Sequence, residues 1–366
     1  MNKKYRILAI NPGSTSTKIA LFDDYDELLR ESVNHSQNDL KNYSDIQSQL
    51  DYRTGMIEQT MADNGFAMED VDVFSGRGGG LLPLSGGVYI VSDLLVKHAS
   101  KGMTGQHPAQ LGSQIAKRFS DKFGKRAFVV NPPDVDELCD AARVTGIKGI
   151  YHESHIHALN QKEIALRFSA SRMLKYEDIN LIICHLGGGI SITAHEKGRM
   201  VDSNDIIKGS GPMMPTRAGD LPYTKVIELA YSGKYTKKEL TDKLNKDGGL
   251  VDHFGTADVR DVVKMAENGD KYAEIVLNGM LYQCSKYVGA MAAALKGKVD
   301  AIILTGGMSN GRSITGKLED YIGWIAEVVI MPGEFELEAL AAGAIRVMRG
   351  EEEIKTYTGK PVCSGF

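Results

Sequence analysis

The chain has 366 residues, room for two domains or one large one, with 42% hydrophobic and 25% charged residues and a net charge of −4. That balance is ordinary for a globular protein in water and argues for neither a nucleic-acid partner nor an anionic membrane surface. Cys139, Cys184, Cys284 and Cys363 show no CxxC and no metal-ligand spacing, so they read as reduced thiols of a cytoplasmic protein. No apolar run approaches the ~18 residues of a membrane span. The opening MNKKYRILAI starts like a signal peptide, but its apolar run stops too early, at Asn11-Pro12-Gly13.

In chain order, residues 7–10 read as a buried strand and 18–22 as a second, joined by a turn rich in Ser, Thr and Gly. Such a turn can aim N–H groups and hydroxyls at a phosphate, although an ordinary hairpin reads the same way. The P-loop pattern GxxxxGK[ST] is absent. A third strand follows at 27–33, then a helix over 45–63 with apolar spacing at Ile46, Leu50, Ile57 and Met61. Strand 71–74 runs into Ser75-Gly76-Arg77-Gly78-Gly79-Gly80, where glycines clear space around a guanidinium suited to a carboxylate or phosphate; a surface arginine in a flexible loop is the plainer alternative.

Ser92 reads as the N-cap of a helix over 93–99, and Pro108 as the first residue of another reaching 123. Strand 125–130 ends in a turn carrying Asn131, Asp134, Asp136 and Glu137, which suits a cation or a solvated helix start equally. His152, His155 and His157 crowd six residues; without companion ligands at metal spacing, they fit catalytic or anion-contacting roles at the start of a helix over 157–174 better than a metal site.

The opening pattern then returns. Strand 180–184, the turn His185-Leu186-Gly187-Gly188-Gly189, strand 190–194 and strand 199–202 repeat strand, Gly-rich turn, strand, strand. A single long-range echo is the mark of a duplicated domain, with two Gly-rich hairpins turned to one cleft. A second arginine among glycines and prolines, Arg217, follows, then a series of helices. Strand 299–304 ends at Thr305-Gly306-Gly307, a turn able to back onto a purine or ribose, though a tight strand–helix turn explains it as well. Strand 327–331 and helix 334–349 close the pattern.

NPGSTSTK (11–18), GRGGG (76–80), GQHP (105–108), HIHALNQK (155–162), HLGGGISI (185–192), GPMMPTRAGDLP (211–222), LTGGMSN (304–310) and PGEFELEALAAGA (332–344) together resemble the acetate kinase/butyrate kinase family, on its butyrate side. The resemblance runs through essentially the whole chain. It implies a duplicated ribonuclease-H-like α/β fold of the actin, sugar kinase and heat-shock ATPase superfamily around a central cleft. The implied division is 1–154 with 339–366, and 155–338. It implies reversible phosphoryl transfer from ATP to butyrate or a branched short-chain carboxylate, with Mg²⁺, in a cytoplasmic homo-oligomer, a dimer or higher.

By motif, Asn11, Ser14, Ser16 and Lys18 would lie near the phosphates and Mg²⁺. Arg77 would hold the carboxylate. Arg217 and His157 would stabilise the transferring group, with His107 and His185 beside it. Gly187, Gly188 and Gly189 would approach the β-phosphate, and Gly306 and Gly307 would line the adenosine pocket. Glu338 would help hold Mg²⁺, with Asn11 and Asp134. Residues 81–88 with Met213 and Met214 would shape an apolar pocket. Two departures stand out: Asn131 occupies a strand end where the family carries an acid, and Gly188 replaces the asparagine of acetate kinases. An acetate or propionate kinase, an actin-like ATPase switch and a metallohydrolase built on the three histidines are the rival readings.

Overall fold

β1 (Arg6–Pro12) places Ile7, Leu8, Ala9 and Ile10 at zero exposure in the computed structural model, which describes residues 3–208 and 210–365. Four consecutive apolar residues in a strand have to be covered on both faces, and the period of two splits them between two cores. Leu8 and Ile10 join one cluster with Ile57, Met61, Phe74 and Phe119; Ile7 and Ala9 join another with Phe128, Val130, Leu340 and Ile345.

The chain divides into two units. One is built from residues up to Asp136, from Ala158–Glu163 and from Phe335 onward; the other from Glu137–His157 and Ile164–Glu334. The first holds a seven-stranded sheet. β1 pairs antiparallel with β2 (Ser16–Asp23), which pairs antiparallel with β3 (Asp26–Asn34). On its other side β1 pairs parallel with β4 (Val73–Gly76). The sheet ends with β5 (Val88–Ile90), β6 (Arg126–Val130) and, from the far end of the chain, β12 (Ile354–Thr356), in the order β12-β5-β6-β4-β1-β2-β3. Helices Leu50–Asp63, Asp93–Lys101 and Gln110–Phe123 bury apolar residues in one core. Ser92 caps the second of these, accepting from the Leu95 N–H.

Helix Glu336–Met348 covers the other face. Its Ala339, Ala341, Ala344 and Gly343 bring the helix onto the strands; a Cβ on Gly343 would stand 2.5 Å from Val130 Cγ1.

The second unit repeats the arrangement with five strands: β7 (Asn180–Leu186), β8 (Ile190–Glu196), β9 (Arg199–Ser203), β10 (Ala301–Thr305) and β11 (Val328–Ile330), ordered β11-β10-β7-β8-β9. β7, β8 and β9 form an antiparallel meander, and β10 pairs parallel with β7, as β4 does with β1. Helix Lys271–Ala294 packs Leu277, Met280, Leu281 and Cys284 into this sheet's core with Ile182, Cys184 and Ile192. The expected strands and helices are present. The short strands β5 and β12, the latter at the sheet edge, have no counterpart in the sequence reading.

Candidate active-site elements in the two units

In both units the candidate residues gather where parallel strands end, the usual place for ligands in α/β sheets. In the first, Asn11 is the penultimate residue of β1 and its neighbour β4 ends at Gly76, so Arg77 follows directly, its N–H donating to Ile10 O at 2.8 Å. The glycine before it is a packing requirement: a Cβ on Gly76 would stand 2.1 Å from Gly112 O, and one on Gly112 would stand 2.3 Å from Arg77 O. Two backbones therefore touch where helix Gln110–Phe123 meets β4, and Arg77 is pinned at the contact.

Arg77 Nη1 lies 2.9 Å from Glu336 Oε1, and Asn11 Nδ2 donates to Glu336 Oε2 at 2.5 Å. Glu336 is thus the acid that faces Asn11, whereas Glu338, the acid expected near Mg²⁺, pairs with Arg30 of β3 at 2.6 Å. Two residues along a helix turn through about 200°, so only one of the two acids can face Asn11. Asp134, the other acid expected near Mg²⁺, accepts from Leu81 N at 3.1 Å and Thr104 Oγ1 at 2.8 Å within its own unit.

Asn131 adopts φ 38°, a left-handed conformation that asparagine tolerates, and its Oδ1 accepts the Gly87 N–H at 2.7 Å. Its side chain serves a turn at the end of β6. His107 accepts the Ala109 N–H at Nδ1, 3.1 Å away. Loss of hydration, then the nearby Arg77 charge, lowers its pKa from the ordinary histidine value, with Glu336 pulling the other way. A neutral ring with its proton on Nε2 fits both facts. Ser14 and Lys18 are exposed at and beside the β1–β2 turn, and Ser16 is half-buried.

Sequence reading missed what lies under that turn. Arg53, at zero exposure, donates to Gly13 O at 2.9 Å, Ser16 O at 3.3 Å, Ser14 O at 3.4 Å, Thr17 Oγ1 at 3.0 Å and Gln49 Oε1 at 2.9 Å. A signal existed: Arg53, Ile57 and Met61 follow at i, i+4, i+8 on the buried face of one helix.

In the second unit, β7 ends at His185-Leu186, and the turn closes with the Gly187 N–H on Gly189 O at 3.2 Å. The three glycines differ in purpose. A Cβ on Gly189 would fall 2.3 Å from Arg217 Nη1 and 3.5 Å from His157 Cε1, one on Gly187 would fall 3.3 Å from His185 Nε2, and one on Gly188 would meet open space. Arg217 therefore lies across the turn because Gly189 has no side chain. The His157 and His185 rings stack, centroids 3.9 Å apart, and His157 Nδ1 is 2.9 Å from Ser191 Oγ.

Among the described residues the Arg217 guanidinium has no acceptor. Burial lowers its pKa from the ordinary arginine value and Asp205 raises it part of the way back, leaving a cation. Asp205 itself is buried. Burial alone would raise its pKa, but the 2.9 Å bond from His155 and the N–H groups of Ile207 and Lys208 together lower it. His155 thus turns to Asp205 and His157 to Ser191, so these two histidines part company. No group of three or more His, Cys, Asp or Glu stands ready for a metal among the described residues.

A further signal escaped the sequence reading here. A Cβ on Gly249 would fall 1.7 Å from Met214 O, so that glycine lets its loop back onto the Arg217 segment. Gly306, φ 88°, presses on β7, where a Cβ would stand 2.5 Å from Leu186 O, whereas Gly307 faces open space. Met213 and Met214 belong to this unit's core, and Leu81, Leu84 and Val88 are buried in the other unit, which leaves Leu82 and Pro83 as the half-buried apolar residues of that loop.

Comparison with known proteins adds to this geometry. A family model described as "Acetokinase family" matches residues 154–319. "Butyrate kinase 2" of Clostridium acetobutylicum is 42% identical over 354 residues, 97% of this chain and 99% of that protein. "Probable butyrate kinase 2" of Caldanaerobacter subterraneus subsp. tengcongensis is 42% identical over 353 residues, 96% and 99% of the two chains. Among solved structures, acetate kinase from Porphyromonas gingivalis superposes with a TM-score of 0.78 at 17% identity, covering 94% of this chain and 100% of its own.

Proposed function

The chain belongs to the acetokinase family, a family of ATP-dependent carboxylate kinases, and from that premise we propose that its acceptor is butyrate or a branched short-chain carboxylate. The observation that carries the choice of acyl group is the near-full-length identity to proteins named butyrate kinases. A carboxylate oxygen attacks the γ-phosphorus of ATP in line with the leaving oxygen; the new P–O bond makes the acyl phosphate, and the bond that breaks leaves ADP. A carboxylate is already ionised, so no general base is needed, and the protein's task is positioning and charge stabilisation.

Arg217 supports the reading best. A partly desolvated cation without an acceptor among the described residues, held across a glycine turn, suits charge that develops on a transferring phosphoryl group. The stacked His157 and His185 would flank it. Arg77 would take the substrate carboxylate through whichever guanidinium edge Glu336 leaves to it, and neutral His107 would offer its Nε2 proton beside it. Gly187 and Gly188 would admit the nucleotide phosphates, and Gly306 and Gly307 the adenosine. Ser14, Ser16 and Lys18 would meet phosphate at the first hairpin.

Mg²⁺ fits the first unit through one carboxylate, Glu336, with the Asn11 amide oxygen beside it. A sparse set of hard donors suits an ion that keeps its waters and takes substrate phosphates as ligands. Such an ion would offset phosphate charge. Leu82 and Pro83 remain as candidates for the acyl pocket. A cytoplasmic homo-oligomer completes the reading, consistent with four free cysteines and with no helix among the described residues long and apolar enough to cross a membrane.

The test is acyl phosphate formation, trapped as the hydroxamate, with ATP and a series of carboxylates. Butyrate or isobutyrate should give the highest kcat/KM, with acetate lower but measurable, because one methylene discriminates by only ~1–3 kcal/mol. A preference for acetate would overturn the acyl assignment.

A further inference from the structure

We propose that Arg53 is a positioning residue for phosphate binding, turning the Gly13–Thr17 hairpin tip into an anion receptor by fixing its peptide planes and lending it an unneutralised buried charge. The inference rests on the reading that this tip meets a nucleotide phosphate, and it goes beyond that reading in naming a residue that touches no substrate.

The partners of Arg53 carry the argument. Its guanidinium bonds to the carbonyl oxygens of Gly13, Ser14 and Ser16, the Thr17 hydroxyl and the Gln49 amide oxygen. None is a carboxylate, and the residue is fully buried. A buried cation normally sits beside an anion, since stripping its water is otherwise costly. Here every acceptor is a neutral dipole, so the positive charge is solvated by the turn but not cancelled.

The same bonds orient the turn. No peptide bond among the described residues is cis, and in a trans peptide the N–H points opposite the C=O. With the Gly13 and Ser14 carbonyls drawn inward to Arg53, the Ser14 and Thr15 N–H groups face the other way, at exposed residues. Neither N–H has an acceptor among the described residues. Thr15 O is tied separately by the His35 N–H at 2.8 Å, so the turn cannot easily rotate these planes. Successive N–H groups over a buried cation make a site that favours an anion.

The surroundings agree. Thr17 Oγ1, which takes one Arg53 bond, also meets His35 Nε2 at 2.8 Å, and His35 Nδ1 lies 3.4 Å from Tyr52 OH. Burial and the Arg53 charge lower the His35 pKa to about 4, so this histidine is neutral near pH 7 and adds no competing charge.

Gln49→Glu separates charge from scaffolding. It keeps the acceptor and the shape but places a carboxylate against the guanidinium. If Arg53 were only a brace, this variant would hold the turn at least as well and bind anions unchanged. The measurement is calorimetric binding of inorganic tripolyphosphate to the full chain, with melting temperature and steady-state kinetics alongside. Gln49→Glu should weaken tripolyphosphate about fivefold or more and raise the KM for ATP in step, with the butyrate KM within about twofold and the melting temperature held or raised.

Arg53→Lys, which keeps the charge but loses the planar fork, should fall between the unaltered protein and Arg53→Met. Should the Arg53 variants fail to fold, Gln49→Glu decides alone. Tripolyphosphate affinity within twofold of the unaltered protein, a lowered melting temperature in Gln49→Glu, or no tripolyphosphate binding by the unaltered protein would each overturn the proposal. Acyl phosphate formation by the unaltered protein is scored separately, so failure of the kinase reading is recognised on its own.

Discussion

At the scale of the residue, two arginines with similar sequence surroundings differ in their partners. Arg77 is paired with Glu336, whereas Arg217 has no acceptor among the described residues. Arg217→Ala should therefore lower kcat by about 10²–10³ with little change in the butyrate KM, as expected for a contact made in the transition state. Arg77→Ala should chiefly raise the KM for the carboxylate. Steady-state kinetics on both variants checks the split, and a pure KM effect at Arg217 would remove it from the transferring phosphoryl group.

The acids of the last helix give a second contrast. Glu336→Gln should raise the Mg²⁺ concentration needed for half-maximal activity, while Glu338→Gln, which breaks only a partly exposed pair with Arg30, should leave activity unchanged and stability within about 1 kcal/mol. A Mg²⁺ titration of the two variants tests this, and equal responses would undo the assignment of Glu336.

At the scale of the element, glycines decide where charged side chains lie. Gly189→Ala would drive a methyl group into Arg217 Nη1, at 2.3 Å, and the far end of a flexible side chain is what must give way. Gly188→Ala meets nothing within 4 Å. The first should cut kcat at least tenfold while the protein stays folded, because a displaced guanidinium loses its alignment; the second should be mild. Circular dichroism with kinetics on the pair checks this, and equal effects would mean that Arg217 is not held by the turn. Gly76 is a different case, since the clash there is backbone on backbone with Gly112 and nothing can swing aside.

The strand–turn–strand pattern of both hairpins was legible beforehand, because alternating and continuous apolar runs broken by Gly, Pro and Asn are local signals. The Arg53 brace was not: its partners lie some forty residues upstream, and an arginine inside an apolar stripe reads as a surface residue unless the acceptors that solvate it are known.

At the scale of the whole molecule, the pH dependence of stability should carry the His35 signature. Its pKa in the folded protein is about 4, below the ordinary histidine value near 6.5. Between those values the unfolded chain binds the proton that the folded chain refuses, so this residue's contribution is present above pH ~6.5 and is lost as pH falls toward 4. Urea denaturation across pH 4–7 should show falling stability, and His35→Gln should flatten that limb. An unchanged slope would place the acid sensitivity elsewhere.

The sequence by itself determined the elements, the duplication and the family. Those rest on short-range periodicity, on turn chemistry and on motifs whose order survives along one line. It also marked most of the residues that stand at strand ends, because Asn11 and His185 follow an apolar run directly and Gly306 and Arg77 follow one within three residues.

Only the tertiary structure decided which of two acids faces Asn11, which N–H the Asn131 side chain accepts, which glycines are obligatory, and that a buried arginine underlies the first hairpin. Each of these depends on a neighbour distant in sequence: the face a helix buries, the backbone of an adjacent strand or helix, or a guanidinium from another element. Distances of that kind are set by packing, and packing has no period to read.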